Sequence, residues 1–346
     1  MNRRLAALVL PALTFPSVVP GLLARVTVLL FCFFCFAGQS LAAGTGYVFV
    51  SHERSHTVAV LDPSKGHEVI RTIDTCNRPR DMHFDESHER LYVACGDDDV
   101  IEVIDVAKLE VIDRIETGRS PEVFAISPDG ESLYVSEEES SIVRQIDMET
   151  NETLAEITTG PEPEGVLLTQ DGARLFVTSE IADMVHVVDT ATGKVEKNIV
   201  VGTRPRRFEM NQDHSELWVT DELAGQVSII DTENLELLHQ LPMVPPGFRP
   251  SEVTPVGLDL SADGKTMYVT LGRANHVAFV DADTREVLDY VLVGSRAWGV
   301  AASKDGKFLY VANGLSDDTT VVDVESRSAV KSIPTGRVPH TVVIDD

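Results

Sequence analysis

Apolar and polar residues alternate along most of this chain in short runs separated by turn-forming residues. Residues 123–127, 133–136, 142–147 and 153–158 are four such runs in succession, and a Pro-Asp-Gly segment at 128–130 separates the first two. Alternation with a period of two predicts β-strands, because successive side chains of a strand point to opposite faces. Pro-Asp-Gly is typical of a tight turn. The pattern therefore predicts an all-β chain of short antiparallel strands.

The four-strand unit recurs, with most steps 42 residues long and one step of 50. One landmark is Leu-Tyr-Val followed by a small residue, or a close variant, at 91–94, 133–136, 175–178, 217–220, 267–270 and 309–312, with a degenerate first copy assigned to 46–49. A second landmark is an apolar pair followed by aspartate, at Asp62, Asp105, Asp147, Asp189, Asp231, Asp281 and Asp323. Seven repeats of four strands predict a seven-bladed β-propeller with four-stranded antiparallel blades.

The two ends of the propeller region predict how the ring closes. The chain ends at Asp346, just after an inner strand, whereas Gly44 lies just before a second strand. We therefore expect the C-terminal inner strand to pair with the N-terminal strands and complete one blade, which removes exposed strand edges. An open solenoid of the same repeats is the alternative, and the divided blade disfavours it.

Residues 1–43 differ from the rest of the chain. They contain Arg3, Arg4 and Arg25 but no acid, an apolar run at 26–36, and small residues up to Ala43. This order is typical of a signal peptide, which predicts a single mature domain over 44–346 that is periplasmic or secreted. The alternative is an uncleaved anchor, although the apolar run is short for a membrane span of about 20 residues. After cleavage we expect no stable membrane insertion.

Charge and cysteine content narrow the possible partners. Loss of three arginines and no acid changes the formal net charge from −26 to −29, which disfavours binding to nucleic acid or to anionic membranes. The cysteines at 32 and 35 leave with the signal peptide, so only Cys76 and Cys95 remain. An even pair in an exported protein predicts a disulfide, and a free or metal-binding pair is the alternative. The chain has no Cys-x-x-Cys-His haem motif.

The candidate site is a ring of residues at the start of the inner strands. Seven equivalent positions are occupied by Arg80, Glu122, Glu164, Arg206, Val256, Trp298 and His340. A propeller brings these positions together around its axis, and binding sites concentrate where a rigid scaffold presents loops. We predict that the polar and aromatic members bind a ligand or partner. A solvated channel rim is the alternative.

Arginine is concentrated on the same predicted face. The connections that lead into the inner strands contain Arg78, Arg80, Arg119, Arg204, Arg206, Arg207, Arg249, Arg296 and Arg337. Arginine suits bidentate recognition of carboxylate or phosphate, so this face predicts an anionic ligand or an acidic partner. Pairing with acids of neighbouring hairpins is the alternative. The longest repeat adds its extra residues here, where Phe248 and Arg249 could form an interface or belong to a passive surface loop.

These repeats resemble a known family. The Tyr-Val-Thr segment at 268–270, the Ser-Pro-Asp-Gly turn at 127–130 and the Thr-Gly openings resemble YVTN-type β-propeller repeats over 44–346. The chain is most similar to propeller proteins associated with pyrroloquinoline quinone (PQQ)-dependent catabolism in bacteria. This resemblance implies a binding or scaffold protein that supports PQQ-dependent alcohol or amine oxidation and has no cofactor of its own. Its partner would be a quinoprotein dehydrogenase, a c-type cytochrome or a transport component.

The alternative function is a propeller enzyme, such as a lactonase-type hydrolase acting at the channel mouth. Glu122, Glu164 and His340 could then act as acid–base groups, although no Gly-x-Ser-x-Gly or His-Glu-x-x-His motif is present. Lower on the inner strands, a histidine and two acids share one register, at 83, 209 and 259. No spacing motif supports a metal there, and none is predicted.

Overall fold

The computed structural model describes residues 44–346, and the predicted signal peptide over 1–43 lies outside them. This part of the chain forms 28 strands in seven four-stranded antiparallel sheets, together with short 3-10 helices at Pro63–Lys65, Glu138–Ser140 and Pro250–Glu252. No helix between 44 and 346 is long and apolar enough to span a bilayer. The predicted seven-bladed β-propeller is therefore confirmed.

The blades follow one another along the chain. The first three are blade 1 with β28 (Pro339–Ile344), β1 (Val48–His52), β2 (Thr57–Asp62) and β3 (Glu68–Asp74), blade 2 with β4 (Pro79–Phe84), β5 (Arg90–Cys95), β6 (Val100–Asp105) and β7 (Glu110–Glu116), and blade 3 with β8 (Pro121–Ile126), β9 (Ser132–Glu137), β10 (Ile142–Asp147) and β11 (Thr153–Thr158). The next two are blade 4 with β12 (Pro163–Leu168), β13 (Arg174–Ser179), β14 (Met184–Asp189) and β15 (Lys194–Val200), and blade 5 with β16 (Pro205–Met210), β17 (Glu216–Asp221), β18 (Gln226–Asp231) and β19 (Glu236–Pro242). The last two are blade 6 with β20 (Pro255–Leu260), β21 (Thr266–Leu271), β22 (His276–Asp281) and β23 (Val287–Leu292), and blade 7 with β24 (Ala297–Ala302), β25 (Phe308–Asn313), β26 (Asp318–Asp323) and β27 (Ser328–Pro334).

The ring closes as the sequence predicts. The C-terminal strand β28 pairs antiparallel with β1, with Val48 opposite Ile344 and Val50 opposite Val342. Just beyond this pairing, the buried Asp345 accepts hydrogen bonds from the backbone N–H and the hydroxyl of Thr45, at 2.7 and 2.6 Å. Blade 1 is therefore built from both ends of the described chain.

The register of blade 1 corrects one expectation. The first copy of the Leu-Tyr-Val-small landmark was assigned to 46–49, but Val48 pairs with Leu61, one residue before Asp62, just as Leu91 pairs with Ile104, one residue before Asp105. The true copy is therefore 48–51, with Ser51 in the small position. The error arose because Tyr47 and Val48 imitate the Tyr-Val pair two residues too early.

The landmark residues form the core between blades. In blade 2, Leu91 and Val93 pack against blade 1, whereas Tyr92 and Ala94 pack against Phe124 of blade 3. This division follows from the pleat of the strand, which sends alternate side chains to opposite faces. The fourth, small position of the landmark consequently faces the next blade along the chain.

A disulfide joins Cys76 to Cys95, with their Cα atoms 5.9 Å apart. Both cysteines are buried in the core between blades 1 and 2. The bond ties the connection that leads to Arg78 and Arg80 to the end of β5. It therefore anchors one of the loops that build the candidate site.

Candidate functional site

A repeated turn delivers the ring residues to the axis. Six connections end in a non-glycine residue with a φ of 50–63°, at Arg78, Ser120, Glu162, Arg204, Arg296 and Val338. Five of these six precede a proline, a position that usually adopts extended backbone. Side chains of neighbouring hairpins hold the turn: the N–H of Arg204 donates to Asp183 at 2.9 Å, and that of Arg296 donates to Asn275 at 2.8 Å. The residue two places later is the ring residue.

A hydroxyl in the landmark holds each turn in five blades. Every inner strand shows a register irregularity against its second strand. In blade 4, the N–H of Gly165 donates to Thr178 at 2.7 Å, and the hydroxyl of Thr178 donates to the carbonyl of Arg206, a ring residue of blade 5, at 3.0 Å. The same bridge is made by Ser51, Ser136, Thr220 and Thr270 to the carbonyls of Arg80, Glu164, Val256 and Trp298. The small position of the repeat therefore positions the ring.

The predicted ring residues form a connected network. Arg80 pairs with Glu122, lies 3.3 Å from Nε2 of His340, and reaches Glu164 at 4.0 Å. Glu164 in turn pairs with Arg206 at 3.1 Å. The guanidinium of Arg206 lies 5.3 Å from the centroid of the Trp298 ring, and the rings of Trp298 and His340 have centroids 5.5 Å apart. Val256 is buried at the remaining position.

The ring is buried and is not a solvated rim. Arg80, Glu122, Glu164, Arg206 and His340 are each at most 6% exposed. Buried charges are costly unless they are paired and hydrogen-bonded, and here each arginine is held by at least two carboxylates. The network therefore forms a polar layer across the inner-strand openings.

Acids of the hairpins pair with this layer, as one of the two sequence interpretations predicts. Glu53 pairs with Arg80 at 3.1 Å, and Glu180 pairs with Arg204 at 2.7 Å and also with Arg206. Glu222 lies 3.1 Å from both Arg204 and Arg296. Sequence reasoning placed these hairpin acids further from the axis than the ring. The signal that could have identified their role is the repeat register, since the first hairpin residue is an acid in four blades, at Glu53, Glu138, Glu180 and Glu222.

A mouth cavity of about 530 Å³ lies against the ring. Its lining includes Arg54, Arg78, Arg80, Arg204 and Arg206, the acids Glu53, Asp97, Glu138 and Glu164, and also His56 and Trp298. Arg54 is exposed and, within residues 44–346, forms no ion pair. The cavity thus combines arginines already paired to acids with at least one guanidinium open to a ligand.

The layer holds its two central carboxyls in different states. Burial opposes ionisation of Glu164, but Arg206, Arg207 and Arg80 outweigh it and lower the pKa of this carboxyl to about 2. Burial, opposed by Arg80 and reinforced by the charge of Glu164, raises the pKa of Glu122 to about 8. Burial and the nearby Arg80 hold the pKa of His340 well below its ordinary value of 6.5. His340 is therefore neutral and serves as an acceptor for Arg80.

Residues 40–302 match the family model described as YNCE-like β-propeller. The chain belongs to the YNCE-like β-propeller family. No curated protein matches the sequence. Several solved structures share the fold of this YNCE-like propeller, among them hydrazine synthase from Kuenenia stuttgartiensis, with a TM-score of 0.72, 22% identity, and coverage of 80% of this chain and 92% of that one.

Two other similar structures are enzymes by their names. The periplasmic gluconolactonase PpgL of Pseudomonas aeruginosa has a TM-score of 0.74, 21% identity, and coverage of 87% of this chain and 99% of that one. Dihydro-heme d1 dehydrogenase NirN, in complex with DHE, has a TM-score of 0.64, 15% identity, and coverage of 86% and 75%. At these identities the likeness shows the fold of the YNCE-like propeller and no activity.

The long connection of blade 5 packs onto the YNCE-like propeller rather than extending from it. Phe248 is half-buried and lies edge-on to His276, with ring centroids 5.7 Å apart. Arg249 is exposed and pairs with Glu252 at 2.5 Å. Neither residue lines the mouth cavity, so any partner contact they make would be separate from the ring.

His83, Glu209 and Asp259 do not form a metal cluster in this YNCE-like propeller. Among the residues that the structure describes, the one group of three potential ligands with closely spaced donor atoms is Cys76, Cys95 and Glu102, and its cysteines form the disulfide. His83 instead pairs with Asp81 at 2.9 Å.

Proposed function

We propose that this YNCE-like propeller is an exported binding protein that captures an anionic group in its mouth cavity, in an accessory role to PQQ-dependent alcohol or amine oxidation. The single observation that supports binding is the cavity of about 530 Å³ with five arginines among its lining residues. Guanidinium groups recognise carboxylates through paired hydrogen bonds. The accessory role rests on the resemblance of the repeats.

The chemistry of the ring favours binding over covalent catalysis. Glu164 is held ionised by its arginines, and His340 is neutral and accepts from Arg80. A general base must reach the proton that it removes, and Glu122 is buried away from the mouth cavity. The ring carboxyls and the histidine therefore serve to hold arginines in place.

The expected ligand is a compact polycarboxylate or the acidic segment of a partner. Four acids also line the cavity, so the arginines do not create a strongly positive field, and recognition depends on direct contact. A planar, multiply carboxylated molecule such as PQQ fits this chemistry. The dehydrogenase or cytochrome partner would be recognised through the same face.

The choice of variant decides the value of the test. Arg206→Glu would place a fourth acid among Glu164, Glu180 and Glu222 and is expected to unfold the mouth. Arg54→Gln is better, because Arg54 is exposed and lines the cavity. Arg337→Gln is the matched control, since Arg337 is exposed on the same face and does not line the cavity.

The experiment is calorimetric titration of purified protein with PQQ and, separately, with citrate. Arg54→Gln should weaken binding at least about tenfold, the effect of losing a charged hydrogen bond worth about 1.5–3 kcal/mol. Arg337→Gln should bind as the wild type does. Absence of binding to both probes, or equal affinities of all three proteins, would refute a polycarboxylate site. Recovery of the same dehydrogenase or cytochrome by Arg337→Gln but not by Arg54→Gln would support the partner role.

A lactonase-type hydrolase at the mouth remains the second candidate. It would require Glu122, Glu164 or His340 to exchange protons with a substrate, and their arginine contacts oppose this. Hydrolysis of gluconolactone above the spontaneous rate, abolished by Glu164→Gln in a variant that remains folded, would favour the enzyme instead.

A further inference from the structure

A second cavity, of about 540 Å³, runs along the inner strands on the other side of the ring. We call it the channel cavity. Trp298 and His340 line its ring end, and most of its wall is apolar, with Phe124, Phe208 and Leu258 among the contributors. Small-molecule sites in proteins are typically concave and mostly apolar, with a few polar groups that set orientation. The channel cavity has this character, and the mouth site does not use it.

Most charged groups that face the channel cavity already have partners. Asp81 pairs with His83 at 2.9 Å and with Arg207 at 3.8 Å. Arg207 also reaches Glu164 at 3.3 Å. These groups neutralise one another and leave no free positive charge for an anionic ligand.

Glu209 is the exception. Within residues 44–346 it forms no ion pair, and its carboxylate accepts only the N–H of the following residue, Met210, at 3.1 Å. The same position of the next blade is another acid, Asp259, whose oxygens accept the N–H groups of Leu260 and Ala302 at 3.0 and 2.5 Å. Burial and the charge of Asp259 raise the pKa of Glu209 to about 8. The uncompensated charge of the channel cavity is therefore negative.

We propose that the channel cavity binds a small organic amine with an apolar body, whose ammonium pairs with Glu209 while its hydrocarbon lies against the apolar inner-strand wall. An ammonium supplies the counter-charge that this buried carboxylate lacks, and a buried charge is costly without one. A carboxylate ligand would meet both Glu209 and Asp259 and is disfavoured by repulsion. A neutral ligand gains the apolar contacts only. The site is separate from the mouth cavity and from any anion bound there.

Three probes of similar size and different charge test this assignment: phenethylamine, phenethyl alcohol and hydrocinnamate. Binding is measured by calorimetry and by tryptophan fluorescence, because Trp298 lines the channel cavity and the chain has only two tryptophans. The amine should bind at least about tenfold more tightly than the alcohol, as expected for a charged hydrogen bond. Hydrocinnamate should bind most weakly.

Glu209→Gln should abolish the preference for the amine over the alcohol without weakening the alcohol. Glu110→Gln is the matched control, since Glu110 is an exposed acid in an outer strand and lines neither cavity. Equal binding of the three probes, tighter binding of hydrocinnamate, or an unchanged preference in Glu209→Gln would overturn the proposal. Hydrocinnamate binding that is lost in Arg54→Gln would report the mouth cavity instead, so the two proposals fail separately.

Discussion

The hydroxyl of Thr178 donates a hydrogen bond of 3.0 Å to the backbone carbonyl of Arg206 in the next blade. The same oxygen accepts the N–H of Gly165 at 2.7 Å. One side chain of the repeat thus satisfies two buried backbone groups and sets the position of a ring residue. Because four other blades contain the same bridge, the small position of the repeat is part of the site as well as of the core.

Thr178→Val should destabilise the protein by about 1–3 kcal/mol. Valine has the same shape but leaves the N–H of Gly165 and the carbonyl of Arg206 unpaired in a buried position, and the loss of such partners costs about that much. Urea denaturation measures the effect. Thr178→Ser retains the hydroxyl and should cost less. If serine proves as harmful as valine, packing of the threonine methyl matters and the hydrogen bonds do not.

Gly165→Ala should also be destabilising, by about 1–3 kcal/mol, the usual cost of overpacking. A Cβ at this position would lie 2.2 Å from the carbonyl oxygen of Arg206, and a backbone oxygen cannot move aside without shifting the ring. Gly314→Ala is the control, because its Cβ would meet nothing nearer than 3.5 Å. Thermal unfolding of the two variants should differ clearly; similar melting temperatures would show that the blades adjust freely.

Replacement of both Cys76 and Cys95 by alanine should lower stability by about 3 kcal/mol, the amount expected for a disulfide closing a loop of this size. The sequence separation is 19 residues. The connection released by this change precedes Arg78 and Arg80, so binding at the mouth should weaken with stability. Denaturation without reductant compares the variant with the wild type. An unchanged midpoint would mean that core packing alone holds the connection.

Glu209 should make the protein less stable as the pH rises. The folded-state pKa of this carboxyl is about 8, above its ordinary value of 4.5, so the unfolded chain releases the proton first. Ionisation therefore favours unfolding: the contribution is fully present below pH 4.5 and is lost as the pH rises to about 8. Denaturation from pH 5 to pH 9 should show a smaller decline in Glu209→Gln than in the wild type or in Glu110→Gln. Parallel declines would contradict an uncompensated Glu209.

Much of the architecture follows from sequence because a repeat restates the same information in each blade. The alternation of period two predicts strands, and the landmark spacing predicts seven units, so single errors are averaged out. The misassigned first copy at 46–49 shows the limit, since a local Tyr-Val match outweighed the register set by Asp62. The ring positions could be predicted for the same reason: equivalent positions in a closed ring must converge on the axis.

The pairing of charges could not be predicted in this way. Arg206 meets Glu164 from the neighbouring blade and Glu180 from a hairpin, and nothing in the spacing of these residues distinguishes such contacts from solvated charges. Phe248 is another case, because its exposure depends on how the long connection folds back onto His276. Such outcomes depend on side-chain geometry across blades, which the period of a repeat does not encode.

The sequence by itself determined the number of blades, the shared blade that closes the ring, and which seven residues face one another at its centre. Only the tertiary structure decided that these residues are buried and paired, that the mouth retains an exposed Arg54, and that Glu209 lacks a counter-charge. The physical reason is that strand periodicity is a local property of the backbone. The state of a charge is instead set by every group that surrounds it, and most of those groups come from other blades.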